Sequence, residues 1–161
     1  MILTIDASVA VKWVIEEPGS TIAVSYLPRW QGDSLHLEHT FRAPALLGIE
    51  LHHAVAKRFR NGLASLDQLA GAHFVLERFG RLDPVDTSIV DQARIISFTA
   101  RDRAAKAKQQ ERPKIGSTFN IYDCIYIAHA QRYGTVLLTA DDEQAKLAQQ
   151  FDVAVEFVSS R

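Results

Sequence analysis

The sequence predicts an α/β fold in which helices cover both faces of a mainly parallel sheet. Short aliphatic and β-branched runs, such as residues 2–5 (ILTI) and 135–139 (TVLLT), alternate with longer segments of helical periodicity. Such alternation is typical of parallel sheets, whose strands are connected through helices. At 161 residues, 47% of them hydrophobic, the chain has the size and composition of a single domain with one core.

Five segments are strand candidates and seven are helix candidates. Besides 2–5 and 135–139, residues 153–158 are expected to form an edge strand, and residues 39–43 and 81–85 show weaker strand patterns. The helix candidates, in chain order, are 8–15, 21–30, 46–60, 66–79, 88 onward, 121–133 and 142–151. Gly62 and Gly80 indicate helix ends, and the Asp86-Thr87-Ser88 run indicates a helix start.

Composition restricts the classes of function and location. With 18 basic and 19 acidic residues the net charge is -1, so that any site for a polyanion must be a local patch. One cysteine, Cys124, excludes an internal disulfide and suits a reducing cytosol. The apolar amino-terminal run is too short for a signal sequence and is interrupted by Asp6, and no window approaches the roughly 20 apolar residues of a membrane span. We therefore expect a cytoplasmic protein without a membrane partner.

One segment, at about 100–116, is strongly basic. It holds six Lys or Arg residues and only two acids, Asp102 and Glu111. Two interpretations stand side by side: a solvated extension of the preceding helix, or a basic arm that binds RNA phosphates. The candidate RNA-binding residues are Arg101, Arg103, Lys106, Lys108, Arg112 and Lys114.

Two acids follow predicted central strands directly. Asp6 follows strand 2–5, and Asp141 follows strand 135–139. In parallel sheets the working site lies beyond the carboxyl ends of the strands. Acids at helix starts also complement the helix dipole, with Ser8 and Thr139 as nearby caps, so that each acid taken singly has an ordinary explanation.

Two further acids lie on predicted buried helices. Glu50 shares a helix side with apolar residues and lies too far inside its helix to cap it; its alternative role is a pair with His53. Asp123 begins a helix that is apolar on two sides, and a buried carboxylate requires a partner. Its alternative role is to complete a capping box with Asn120.

Acids gathered at one edge of a sheet repel one another unless a cation joins them. Mg²⁺ or Mn²⁺ suits such a site, because these hard ions take oxygen ligands and retain several waters. Ions of this kind bind phosphate oxygens and lower the pKa of bound water. The residues therefore indicate metal-dependent cleavage of nucleic acid.

Four motifs together resemble the PIN-domain ribonucleases, and most of all the VapC-type toxins of bacterial toxin–antitoxin pairs. The motifs are TIDAS, PALLGIE, YDCIYIAHA and LLTAD, in the family's order, and the resemblance spans residues 2–158. It implies a three-layer α/β/α domain with a five-stranded parallel sheet, Mg²⁺ or Mn²⁺, an RNA substrate, homodimerisation and a small antitoxin that blocks the site. It also implies a metal centre and its supporting hydroxyls: Asp6, Glu50, Asp123 and Asp141, with Thr139 and Ser8.

The sequence departs from the family pattern at two places. His53 stands where the family often has asparagine, and it can still hydrogen-bond a carboxylate. The basic segment is longer than the usual connection, which leaves the RNA unidentified. Asp142 is a further supporting candidate; because neighbouring helical side chains diverge by about 100°, we expect Asp141 to face the metal and Asp142 to cap.

Other functions are weaker alternatives. The histidine pairs in the sequence do not have the i, i+4 helical spacing of zinc-binding histidines, and no cysteine cluster supports a zinc site. A non-catalytic PIN-like module that binds RNA or protein is the main alternative, and metal dependence distinguishes it from a nuclease. A receiver-like signalling domain would leave Glu50 without a role.

Overall fold

The computed structural model describes residues 1–27, 29–31, 34–36, 38–79, 81–108 and 120–159. Within these residues the chain forms six strands and seven helices. The amino-terminal half contains β1 (Ile2–Ile5), α1 (Ala7–Lys12), α2 (Ser20–Ser25), β2 (Arg29–Gln31), β3 (Ser34–His36), β4 (Thr40–Arg42), α3 (Leu46–Arg60) and α4 (Leu66–Glu77). The carboxyl-terminal half contains α5 (Thr87–Lys108), α6 (Ile121–Tyr133), β5 (Val136–Thr139), α7 (Asp142–Gln149) and β6 (Val155–Phe157).

The main sheet is parallel throughout and has the strand order β4-β1-β5-β6. In its centre Ile5 is paired with Leu138, so that β1 and β5 end side by side. From β1 the chain moves to β4 on one side, and from β5 it moves to β6 on the other. The crevice between the ends of β1 and β5 is therefore the topological switch point, where α/β proteins build their sites.

Helices flank this sheet, as predicted. Helix α6 packs against β1 and β5, and α5 packs on α6. Helix α1 also packs on β5, and α3 packs against both α1 and α4. Seven consecutive residues of α6, from Cys124 to Ala130, are buried, which explains why this helix is apolar on two sides. Helices α3 and α6 have the predicted bounds.

The predicted fifth strand is absent from the described residues, where the main sheet has four strands. Residues 81–85 contribute one isolated parallel bridge, in which the Asp83 amide donates to the Ala43 carbonyl (2.8 Å) and the Ala45 amide donates to the Asp83 carbonyl (2.7 Å). The ladder continues in neither direction, because the Arg81 amide donates to the Phe79 carbonyl (2.7 Å) and the Leu47 amide donates to the Pro44 carbonyl (2.9 Å) at the start of α3.

A second difference concerns residues 21–30, which were predicted as one helix. Helix α2 ends at Ser25, and Trp30 lies in β2, which pairs antiparallel with β3. Pro28 explains the early end, because proline disfavours helical backbone at the residue before it.

A buried polar cluster fixes β1, β4 and α6 to one another. The fully buried His129 imidazole is hydrogen-bonded through Nδ1 to Thr4 Oγ1 (3.0 Å) and through Nε2 to Asp83 Oδ2 (3.0 Å). The Arg42 guanidinium forms two hydrogen bonds with the same Asp83 carboxylate. Since every partner comes from a different element, this cluster holds the sheet in register with the helix beneath it.

Candidate active site

Four carboxylates line one cavity of about 880 Å³ beyond the carboxyl ends of β1 and β5. Asp6 directly follows β1 and Asp141 follows β5, whereas Glu50 comes from α3 and Asp123 from the first turn of α6. The structure thus brings together the four acids that the sequence singled out. Their roles as metal ligands stay a prediction.

Asp6 is buried at the base of this cavity, with 6% of its surface exposed. Its Oδ2 accepts hydrogen bonds from the Ser8 amide (3.0 Å), from the Ser8 hydroxyl and from the Thr139 hydroxyl (3.3 Å). Its Oδ1 accepts from the Gln144 side-chain amide (3.4 Å). Burial raises the pKa of Asp6, although the hydrogen bonds from Ser8 and Gln144 partly oppose the rise.

Ser8 and Thr139 support Asp6 rather than cap the adjacent helices. Asp6 itself is the N-cap of α1, and the Ser8 Oγ accepts from the Ala140 amide (2.9 Å) while donating to Asp6. The Thr139 Oγ1 likewise accepts from the Asp141 amide (3.0 Å). The two hydroxyls therefore connect the end of β1 to the end of β5.

Glu50 is half-buried on α3, and its Oε2 accepts a hydrogen bond from the Tyr126 phenol of α6 (2.7 Å). Burial raises the pKa of Glu50; the Tyr126 bond opposes this and the charge of Asp6 adds to it. Burial and the charges of Asp6 and Glu50 raise the pKa of Tyr126, so that the phenol remains a donor. This contact was not predicted from the sequence, although a buried tyrosine hydroxyl requires a partner.

Asp123 carries the clearest electrostatic signal in the cavity. Burial, followed by the negative charges of Asp6, Asp141 and Glu50, raises its pKa from 3.8 to about 7. The capping-box alternative is wrong, because the Asn120 side chain accepts from the Tyr122 amide (3.2 Å) and not from that of Asp123. The Asp123 carboxylate lines the cavity instead.

Asp141 takes the capping role that was predicted for Asp142. Asp141 lines the cavity and is also the N-cap of α7, since its Oδ1 accepts from the Gln144 amide (2.9 Å). Asp142 was predicted to cap, but its exposed carboxylate forms an ion pair with Lys146 one turn further along α7. The reason is position: Asp141 is the last residue with extended backbone before the helix, as a cap requires.

A cation suits the chemistry of this cavity. In the part of the chain that the structure describes, no Lys or Arg forms an ion pair with any of the four carboxylates. Among those same residues, no three His, Cys, Asp or Glu side chains lie close enough together to hold a metal ion. Ion binding therefore requires the carboxylates to approach one another, or waters to complete the coordination. Mg²⁺ and Mn²⁺ take few protein ligands and retain several waters, so the residues fit such an ion.

A basic group that sequence reasoning largely missed lies on another wall of the cavity. Lys12 Nζ donates to Glu17 Oε1 (2.9 Å), and Arg58 Nη2 donates to Glu17 Oε2 (2.8 Å). All three residues line the cavity. Although burial opposes it, the hydrogen bonds from Lys12 and Arg58 lower the pKa of Glu17. The group carries a net charge of about +1, because one carboxylate faces two cations.

The remaining candidates have mixed outcomes. His53 lines the cavity and is exposed. Arg101 and Arg103 lie on α5, which contributes no described residue to the cavity lining. Arg103 instead donates to the Gln150 carbonyl (3.2 Å). The other basic residues of the segment lie outside the description, either wholly (Arg112 and Lys114) or in their side chains (Lys106 and Lys108).

Comparison with known proteins decides the family. Residues 3–150, nearly the whole chain, match the PIN domain. The chain belongs to the PIN domain family. No curated protein sequence matches the chain. Within the described residues of this PIN domain, no helix is both long and apolar enough to span a membrane.

Three solved structures share the PIN fold at low sequence identity. The structure of FitAB bound to an IR36 DNA fragment is 23% identical, with a TM-score of 0.64 over 98% of this chain and 94% of that one. FitAcB from Neisseria gonorrhoeae is 21% identical, with a TM-score of 0.59 over 96% of each chain. VapBC2 from Rickettsia felis, bound to a DNA fragment from their promoter, is 16% identical, with a TM-score of 0.51 over 98% of each chain. At these identities the similarity shows the fold alone.

Proposed function

We propose that this PIN domain is a metal-dependent endoribonuclease and the toxin of a type II toxin–antitoxin pair. One observation carries the proposal: four acids from four elements surround a single cavity at the switch point of the sheet, and no cation of the described chain pairs with them. PIN domains are generally nucleases, and the resemblance to VapC-type toxins favours RNA as the substrate.

Asp6, Glu50, Asp123 and Asp141 would hold Mg²⁺ or Mn²⁺. When bound, such an ion binds phosphate oxygens and lowers the pKa of coordinated water, which is the chemistry of phosphodiester hydrolysis. Asp6 is the most firmly oriented of the four, because two hydroxyls and two N–H groups bond its carboxylate. Its geometry is therefore set before substrate arrives, as catalysis by positioned charge requires.

Lys12 and Arg58 are the described basic groups best placed to attract the RNA backbone to this cavity. Their shared partner Glu17 holds them on the wall without cancelling both charges. The segment at 100–116 remains a candidate second contact, further along the RNA.

We further propose an antitoxin that covers the cavity, and a homodimer. The cavity rim exposes two large side chains, Ile49 (71%) and Tyr122 (48%), which a protein partner would bury. Size-exclusion chromatography with light scattering tests the dimer, which predicts a mass twice 18.0 kDa. The single cysteine, which is buried, favours a cytoplasmic location.

The test of the activity is RNA cleavage by the purified protein. We expect cleavage with Mg²⁺ or Mn²⁺, no cleavage with excess EDTA, and recovery when Mn²⁺ is restored. Asp6→Asn should remove the activity and leave the fold intact, whereas Asp142→Asn, a neighbouring acid outside the cavity, should retain it. RNA binding that is indifferent to metal, without cleavage, would instead support the non-catalytic module.

A further inference from the structure

The Tyr126 phenol contacts one of the carboxylates that line the cavity from inside the core. The residue is 1% exposed, and its hydroxyl donates to Glu50 Oε2 at 2.7 Å. Tyr126 lies three residues after Asp123, and residues at this spacing are neighbours on a helix surface. Helix α6 therefore supplies both a carboxylate that lines the cavity and a donor that holds a second carboxylate from α3.

Glu50 depends on this donor for its orientation. A glutamate has three rotatable side-chain bonds, and ordering it costs more conformational entropy than ordering an aspartate. Asp6 is held by four hydrogen bonds, whereas in the described residues Glu50 has the Tyr126 bond alone. That bond engages Oε2 and leaves Oε1 without a protein partner among those residues.

A general packing role explains the Tyr126 ring but not its hydroxyl. A phenylalanine would fill the same volume, and a phenol placed only for packing would have to bury an unpaired polar group. The hydroxyl instead donates to a carboxylate, and hydrogen bonds to charged groups are stronger than neutral ones.

We propose that Tyr126 is a positioning residue that fixes the Glu50 carboxylate, with one oxygen engaged and the other available to a divalent cation in the cavity. This inference rests on the proposed function. Tyr126 acts through Glu50 and touches neither the ion nor the RNA.

The first experiment measures Mn²⁺ binding by the protein alone, using calorimetric titration. Removal of an outer hydrogen-bond partner of a metal ligand typically weakens metal affinity by roughly 10- to 100-fold, so we expect Tyr126→Phe to weaken Mn²⁺ binding by about that factor. Tyr26→Phe is the matched control, because it removes another tyrosine–glutamate bond, from Tyr26 to Glu156 (3.2 Å), outside the cavity lining. This control should bind Mn²⁺ as the wild type does.

A double-mutant cycle separates positioning from general destabilisation. If Tyr126 acts through Glu50, Tyr126→Phe should change Mn²⁺ affinity less than twofold in a Glu50→Gln background. An equal loss in both backgrounds would overturn the inference, because the phenol would then act by another route.

A second variant keeps the test independent of changes in the core. Glu50→Asp retains the charge on the half-buried face of α3, but its shorter side chain cannot span both the Tyr126 hydroxyl and the cavity. We expect its Mn²⁺ affinity to fall by at least about tenfold, and wild-type affinity would overturn the inference.

The outcomes distinguish this inference from the proposed function. A wild-type protein that binds no Mn²⁺ in the cavity would refute both the positioning role of Tyr126 and the proposed metal-dependent activity. If the wild type binds Mn²⁺ and a folded Tyr126→Phe variant binds it with equal affinity, the positioning role is refuted and the nuclease proposal is unaffected.

Discussion

Removal of the Asp123 charge should stabilise the apo protein at alkaline pH. Asparagine has nearly the same shape as aspartate but no charge. Asp123→Asn therefore removes the cost of burying a charge, and the repulsion from Asp6, Asp141 and Glu50, without creating a cavity. The variant tests whether the four carboxylates repel one another as the structure indicates.

The direction of the effect with pH follows from the pKa in the two states. The pKa of Asp123 is 3.8 when the side chain is exposed to solvent, as in the unfolded chain, and about 7 in the folded protein. Between these values the folded protein binds more protons than the unfolded chain, so that wild-type stability falls as pH rises through this range and the loss is complete above about pH 7. The asparagine variant does not titrate at this position and escapes that loss.

The magnitude is limited by solvent. A displacement from 3.8 to about 7 corresponds to at most about 4 kcal/mol. Because Asp123 is only half-buried, water screens part of this interaction, and we expect a gain of about 1–2 kcal/mol for Asp123→Asn at pH 8. At pH 5 the gain should be less than half as large. In a protein of this size the gain at pH 8 corresponds to a rise in Tm of roughly 2–8 °C.

Urea unfolding in EDTA at pH 5 and pH 8 measures these differences. Asp142→Asn is the control, since Asp142 lies outside the cavity and pairs with Lys146, and it should not gain stability at either pH. Saturating Mn²⁺ should reverse the order, because an ion that binds only the folded state stabilises by about 2.7 kcal/mol at 100 times its Kd and should bind the variant poorly. An Asp123→Asn variant no more stable than wild type at pH 8 would refute the reasoning about crowded carboxylates.

Three further predictions concern the wall of the cavity and the scaffold. Replacing Lys12 and Arg58 with glutamine should weaken RNA binding and reduce the slope of log affinity against log salt by up to about 1.4, measured by fluorescence anisotropy; an unchanged slope would show that the two residues do not contact phosphate. Ser65→Ala removes the N-cap of α4 and should cost about 1 kcal/mol in urea unfolding, and a neutral result would show that the capping box adds no stability. Gly19→Ala should destabilise the protein by about 1–3 kcal/mol, because Gly19 has φ +89° and an added Cβ would lie 2.7 Å from the Ser159 carbonyl oxygen; wild-type thermal stability would contradict this.

Much of the fold could be predicted because local pattern and tertiary environment agree. Helix α6 is apolar around most of its circumference and is indeed buried, and the bounds of α3 and α6 match the prediction. The strand prediction fails where backbone hydrogen bonding, and not the side-chain pattern, determines the secondary structure. Residues 81–85 have a strand-like pattern, but the Arg81 amide is engaged by the Phe79 carbonyl and helix α3 begins directly after Ala45, so that one isolated Pro44–Asp83 bridge forms instead of a strand.

The meeting of acids at one cavity could be predicted for a topological reason, whereas their role as metal ligands stays a prediction. Parallel strands end at the same edge of a sheet, so acids that follow strands β1 and β5 meet there whatever the connecting segments do. The Tyr126–Glu50 bond and the Lys12–Glu17–Arg58 group could not be predicted in this way. Tyr126 and Glu50 lie 76 residues apart in the chain, and Arg58 and Glu17 lie 41 residues apart, so that no local sequence pattern links the partners.

The most direct test of the central claim is anomalous diffraction from crystals of this protein grown with Mn²⁺. We expect a strong anomalous peak inside the cavity, within coordination distance of Asp6 and at least one of Asp123, Asp141 and Glu50. Crystals soaked in saturating Mn²⁺ that show no peak in the cavity, or a peak only at surface acids such as Asp142, would contradict it.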